Sequence, residues 1–269
     1  MSSEQLADAT NAVNFQHPCA GHVTIFDHDK ALVEETCPDG SPRTKVAIVG
    51  FAQSSKDLAP YNDPTWSIWG LNQLYRHVPR ADRWFEIHHN WNEHVVEGTD
   101  HQKWLAEAPI PVYMTERIPG IPNSVKYPLD RVMNGHPDYF TSTVAFCLAL
   151  AIQEGFKEIG LWGIDLIVGD EYFYQKPCAE FWIGTAHGKG VTVTLPKTTA
   201  LCKQSHRYGY QSEPDSLINL SELAKRRQGL LDERHKMMIQ LANVDGALQD
   251  CQMWGELADL RSKGGTVNV

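Results

Sequence analysis

Nowhere in the sequence do about 18 apolar residues run together, the length a helix needs to cross a bilayer. No charged-then-apolar leader opens it, so the expectation is a cytoplasmic protein without a membrane partner. Basic charge is also short: 24 Lys and Arg stand against 33 Asp and Glu, a net of −9. That balance excludes wholesale wrapping of nucleic acid, because phosphate contacts need clustered cations, and leaves open only a local basic groove. The six cysteines are scattered at 19, 37, 147, 178, 202 and 251, which is a pattern of free thiols and not a disulfide framework. His17, Cys19, His22 and Cys37 invite zinc, but their spacing matches none of the usual paired-ligand patterns. Nothing in the sequence requires a divalent metal or another cofactor.

What is present has the period of an α/β protein. Residues 139–170 read as a capped helix, a tight turn and a buried strand that ends on an acid. Thr141 or Ser142 can supply the N-cap oxygen that the first free N–H groups of a helix need. From Val144 to Gln153 the run is apolar on nearly every side, which predicts a buried helix. Gly155 stands where a helix ends on a left-handed residue. Glu158–Leu166 then reads as a strand stopping at Gly163-Ile164-Asp165. In an open parallel sheet, ligands bind outside the carboxyl ends of strands. Asp165 falls at such an end, where it can also simply cap a turn.

Upstream, Lys45–Gly50 is a short β-branched run, as a central parallel strand should be. A polar turn of small residues follows through Gln53, Ser54 and Ser55. Trp66–Leu71 is a second strand, followed by Asn72, and Asp82–Ile87 a third, followed by His88-His89-Asn90. Main-chain N–H groups at a helix start suit phosphate, and Asn and Asp suit base and ribose hydroxyls. One nucleotide could touch all of these strand ends. His88, His89 and His94 with Glu93 could instead bind a metal, but adjacent residues of an extended segment point oppositely, so only a subset could share one ion.

The remaining segments are less ordered in pattern. Residues 1–44 read as an arm with one edge-strand candidate, His22–Phe26. His101–Leu105 closes a helix, Pro111–Thr115 is a fourth short strand, and residues 116–138, rich in Pro and Gly, read as a long functional or covering loop. Pro177 fits the first turn of a helix over Cys178–His187, followed by a strand at Val191–Leu195. On that helix Glu180, Gly184 and His187 share a face. From Ser216 to Arg261 proline disappears and an apolar stripe runs at helical spacing, with weak points at Gly229 and Gly246. The segment reads as one long helix or a helical hairpin. Its stripe calls equally for intramolecular packing or for a homo-oligomer through 216–261.

Together, the pattern G-x-x-x-S from Gly50 to Ser54, N-Q-x-Y from Asn72 to Tyr75, Thr141-Ser142, and G-x-K-E-I-x-L-x-G-I-D from Gly155 to Asp165 resembles bacterial sialyltransferases of the Campylobacter type. It also resembles a wider set of sialyltransferase-like glycosyltransferases, some from phages. The likeness covers residues 45–200, and Thr141–Asp165 is its most specific piece. It implies a nucleotide-sugar donor held by Ser54, Asn72, Ser142 and Asp165, with Gly50, Gln53, His88 and Thr143 beside them. In that family a histidine after an aromatic-Ile-Gly segment is the general base, and here Trp182-Ile183-Gly184 precedes His187 at a different spacing. The resemblance therefore implies His187 as catalytic base, Glu180 as its fallback, and Tyr172 and Tyr174 as counterparts of tyrosines that stabilise the departing phosphate. There are departures: Phe51 and Ala52 replace an amide and a glycine, Thr143 replaces a glycine, and His88 replaces an asparagine. Sialic acid specificity does not carry over.

The expected architecture is α/β: a Rossmann-like, mostly parallel sheet with helices on both faces, plus a C-terminal helical appendage. Its expected divisions are an arm at 1–44, the nucleotide-binding domain at 45–212 and the appendage at 213–262. The expected function is transfer of a sugar from a nucleotide-activated donor to a hydroxyl acceptor, and a hydroxylated base in phage DNA is one candidate. The competing reading is a non-catalytic nucleotide-binding, sensing or structural assembly protein.

Overall fold

Alternation decides how the central strand is covered. In the computed structural model of the chain, which describes residues 22–91, 100–203, 207, 209–210 and 220–263, strand β3 (Lys45–Val49) is buried on both sides. Val46 and Ile48 join one apolar cluster and Ala47 and Val49 a second, as the two-residue period of a strand requires. Both faces of the sheet are thus packed, which is the normal state of a parallel sheet.

Seven strands lie in the order β7-β6-β5-β4-β3-β8-β9, and every neighbouring pair is parallel. They are β3, β4 (Trp66–Leu71), β5 (Arg83–Glu86), β6 (Val112–Met114), β7 (Ser124–Lys126), β8 (Glu158–Trp162) and β9 (Thr192–Thr194). The chain steps outward from β3 to β7, then returns to place β8 on the other side of β3. That reversal is a topological switch point, where the crevice of an open α/β sheet forms. The register keeps the strand ends level, with Val49 opposite both Gly70 and Trp162. The fold is the Rossmann-like α/β class expected.

One face carries α2 (Leu129–Met133), α3 (Thr143–Gln153) and α4 (Lys176–Gly188); the other carries two short 3-10 turns and α1 (His101–Glu107). Helix α3 is buried along almost its whole length, as its unbroken apolar run predicts. It ends as expected, on Gly155 at φ +82°, with Phe156 N–H closing back on the Ala151 carbonyl. Three buried tryptophans, Trp69, Trp84 and Trp182, anchor the two clusters, each burial contributing on the order of 2–3 kcal/mol.

Several boundaries differ from the sequence reading. His22–Asp27 (β1) pairs antiparallel with an unexpected β2, Leu32–Thr36, to make a separate hairpin. Residues 116–138 are not all loop, because β7 adds an edge strand and α2 a short helix within them. Pro and Gly between these pieces break the periodicity that would have revealed them. Strand β8 stops at Trp162, since Gly163 turns the chain at φ +65° before Asp165 is reached.

The chain divides into two units, Met1–Lys203 and Gln204–Val269. In the second, α5 (Leu220–Ser262) is one helix of 43 residues that passes through Gly229 and Gly246 without a hairpin. No helix among the described residues is long and apolar enough to cross a membrane.

Candidate functional site

The carboxyl ends of β3 and β8 approach so closely that only glycine fits at either. A Cβ on Gly50 would lie 2.5 Å from the Gly163 carbonyl oxygen, and one on Gly163 would lie 2.3 Å from the Gly50 oxygen. Gly50 N–H donates to the Trp162 carbonyl and Ala52 N–H to the Gly163 carbonyl, each at 2.8 Å. Buried Ser55, at the end of the polar turn after β3, accepts the Gly163 N–H at 2.8 Å through its hydroxyl. This crossing forms the floor of a cleft of about 720 Å³.

The cleft brings together most of the residues expected at strand ends. Gly50, Asn72, His88, Ser142, Thr143 and Asp165 all line it. Ser54 is exposed and donates its hydroxyl proton to Asp165 Oδ1 at 2.9 Å, so it positions the carboxylate and is not itself part of the lining. Gln53 is exposed and is not part of the lining. Asn72 takes φ +53° at the end of β4, a conformation that asparagine tolerates better than most side chains. Its side-chain oxygen accepts from the Thr143 hydroxyl at 3.3 Å. Leu166, just after Asp165, is also left-handed at φ +48°, a local strain of order 1–2 kcal/mol for a non-glycine residue.

Ser142 occupies the N-cap position of α3 with extended backbone, but neither expected hydroxyl caps the helix. The Thr141 hydroxyl turns away to donate to the Tyr174 carbonyl at 2.8 Å. The Ser142 hydroxyl is buried and has no hydrogen-bond partner among the described residues. The helix start therefore presents uncapped N–H groups and a spare hydroxyl in one place, the arrangement that receives an anion. Phe140 and Phe146 stack at 4.5 Å between ring centroids. With Leu71, Ile87 and Val144 they give the cleft an apolar wall.

The residue that sequence reasoning missed is Glu86, the last of β5. It is 1% exposed and sits between two histidines. His88 Nδ1 donates to one carboxylate oxygen, and His101 Nε2 donates to the other at 3.0 Å. Glu86 and His88 share a side of the extended chain because they are two residues apart. Burial raises the Glu86 carboxyl, but the hydrogen bonds from His101 and His88 outweigh it and hold it below its ordinary range. The bond to Glu86 in turn raises His88 above 6.5, against the opposing effect of its partial burial. Nδ1 is thus committed to Glu86, and the imidazole it holds lines the cleft. An acid closing an otherwise apolar strand, two residues before a histidine, is the signal that could have found the pair.

Three catalytic expectations are not met by placement. His187 is exposed in the last turn of α4, roughly 18 Å along the axis from Gln175 at 1.5 Å per residue. A helix that crosses between parallel strands runs back toward their amino ends, so its last turn lies away from the cleft at their carboxyl ends. Glu180 accepts the Cys202 N–H at 2.8 Å and lies 3.7 Å from Lys176 Nζ, and it too is outside the lining. Tyr172 and Tyr174 belong to a π-helical turn, Glu171–Gln175, with exposed rings. That turn reaches the cleft only through Glu171 and Gln175.

For metals, the described residues contain no group of three or more His, Cys, Asp or Glu side chains able to hold an ion. His17, Cys19, Glu93 and His94 lie outside the described residues, as does the His22 side chain. Among the described residues, none that lines the cleft is Lys or Arg.

Fold and cleft together define an open parallel α/β protein with a crevice at its switch point. No protein-family model matches the chain, and no curated protein matches it in sequence. Among solved structures, it is weakly similar to the sialyltransferase CstII of Campylobacter jejuni in complex with cytidine-5'-monophosphate. The TM-score is 0.39 at 14% identity, over 68% of this chain and 99% of that one. The same enzyme in complex with CMP-3FNeuAc gives a TM-score of 0.35 at 15% identity, over 56% of this chain and 79% of that one. A thiamine pyrophosphokinase from Bacillus subtilis gives 0.37 at 14% identity, with 56% of this chain covering 60% of that one. At such scores these likenesses carry no argument about chemistry.

Proposed function

We propose that the cleft binds a nucleotide-activated sugar and that His88 takes the proton from an acceptor hydroxyl as the sugar is transferred. The observation that carries this reading is one cleft holding both an uncapped helix start with a spare Ser142 hydroxyl and an imidazole oriented by a buried carboxylate. The helix start suits the donor's phosphate, and Asn72 and Asp165 suit base and ribose hydroxyls. In transfer, the acceptor oxygen bonds to the anomeric carbon and the bond from that carbon to the phosphate oxygen breaks. The nucleotide leaves with the electron pair, and the acceptor proton passes to the His88 imidazole. With no Lys or Arg in the lining, the cleft suits a donor with a single phosphate better than a diphosphate.

That same lack of cations favours a second reading, a nucleotide-binding protein without transfer, because no cationic side chain neutralises a departing phosphate. Thermal-shift titration with nucleoside monophosphates, diphosphates and their sugar conjugates separates the cases. Ligand binding to the native state raises the melting point. A shift confined to monophosphate conjugates, with slow release of free nucleotide, supports transfer. A shift without release supports the second reading, and no shift with any nucleotide refutes both. The acceptor class, hydroxylated DNA bases included, is then tested by adding acceptors to the releasing mixture.

A further inference from the structure

Among the described residues of its unit, helix α5 has no other element to pack on, yet its sequence is built for a partner. Leu223, Leu230, Met237, Val244, Cys251 and Ala258 recur every seven residues. Arg227, Arg234, Leu241, Leu248 and Gly255 fall between them, so the spacing alternates four and three along the whole seam. Leu223, Leu230, Met237, Leu241, Val244 and Leu248 are each more than half exposed. A sustained seven-residue repeat keeps one face toward a partner helix by supercoiling around it, whereas packing on an ordinary globular surface follows a period of 3.6.

The length of the seam identifies that partner. From Leu223 to Ala258 it runs about 53 Å at 1.5 Å per residue. The next longest helix among the described residues is α4, with 13 residues. Among the described residues, only another copy of α5 matches the seam.

Charge sets the direction. Residues 225–236 carry Lys225, Arg226, Arg227, Arg234 and Lys236 against Asp232 and Glu233, whereas residues 245–259 carry Asp245, Asp250, Glu256 and Asp259 and no Lys or Arg. A parallel pair would set basic half against basic half. An antiparallel pair sets each basic half against an acidic one. It also places Arg227 and Arg234, the two cations inside the seam, across from the stretch bearing Asp245, Asp250 and Glu256. We infer that α5 joins two copies of this chain as an antiparallel coiled coil, an isologous two-fold contact.

Light scattering on the full chain should give twice the 30.3 kDa chain mass. The double variant Leu241→Glu, Leu248→Glu should fall to the single-chain mass, with circular dichroism confirming that the α/β unit is still folded. Direction is read by mixing Leu230→Cys with Leu248→Cys, each in a Cys251→Ser background, adding a short bifunctional maleimide and mapping the peptides. A 230–248 link between chains is expected. A single-chain mass for the unaltered protein, or a two-chain mass that survives the double variant, overturns the pairing. A 230–230 link in place of 230–248 overturns its direction.

Discussion

Strand β5 carries a buried ion at each end, and the two ends have opposite characters. At its amino end Arg83 is enclosed by partners on every side. Its Nε bonds Glu35, its Nη1 bonds Tyr113 at 2.9 Å and Glu154 at 2.8 Å, and its guanidinium lies 4.9 Å from the Trp69 ring centre. Arg43 extends the network from Glu35 to Asp82, which also pairs with Arg80 at 2.9 Å. At its carboxyl end Glu86 is as deeply buried, but its bonds lead outward through His88 to the cleft. On the other side His101 has a buried Nδ1 without a partner among the described residues. A closed network holds strands together; a chain of bonds ending in a cleft sets the protonation of the group at its mouth.

The largest effect should come from breaking the closed end. Arg83→Met leaves Glu35 and Glu154 with one buried countercharge fewer and should cost about 3–5 kcal/mol in denaturant unfolding. Nucleotide affinity of the folded fraction should be nearly unchanged. At the open end the outcome should invert. His88→Ala should lower turnover roughly a hundredfold or more, with a small change in the unfolding midpoint. If His88→Ala instead destabilises the protein as much as Arg83→Met, the two ends do not differ in kind.

Glu86→Gln sharpens the same contrast through pH. Because Glu86 raises His88, which must be neutral to accept a proton, activity in the parent should rise with pH through a midpoint above 6.5. Loss of the carboxylate should move that acid limb down toward 6.5 and lower the plateau. Stability runs the other way for the two groups. The depressed Glu86 contributes stability above 4.5 that is lost as pH falls through its lower folded value. The raised His88 contributes stability below 6.5 that is lost as pH rises through its higher folded value. The parent's advantage over Glu86→Gln should therefore be greatest between 4.5 and 6.5. A flat difference across that window would mean that the pair is not coupled.

The strands that could be read from sequence are those whose burial leaves a pattern. β3 is apolar after Lys45, α3 is apolar nearly all round, and Gly155 marks its end, so the sheet centre and the strand ends that border the cleft could be read. Glu86 was missed because a charge at a strand terminus reads as solvent-facing unless its two histidine partners are known, and His101 lies fifteen residues away. His187 was misplaced because residue type and local motif say nothing about which end of a crossover helix meets the cleft. That is decided by strand direction, which only the parallel pairing of β8 with β9 supplies. The closed network is illegible for the same reason, since Glu35 and Arg83 are 48 residues apart in the chain.

The smallest predicted effect tests the open end at a single hydroxyl. Ser142 Oγ is buried at the start of α3 without a partner among the described residues, so Ser142→Ala removes an unsatisfied polar atom and breaks none of their hydrogen bonds. Stability should stay level or rise slightly, whereas loss of an N-cap bond would cost about 1 kcal/mol. If the hydroxyl is held in reserve for a ligand phosphate, binding should weaken by about 1–2 kcal/mol, roughly a fivefold to thirtyfold loss of affinity. Calorimetric titration with the nucleotide that gives the largest thermal shift, paired with denaturant unfolding of the free variant, measures both quantities. A drop in stability with unchanged affinity would make Ser142 an ordinary helix cap in solution. It would also remove the phosphate from the start of α3, leaving Asn72, His88 and Asp165 to define what the cleft holds.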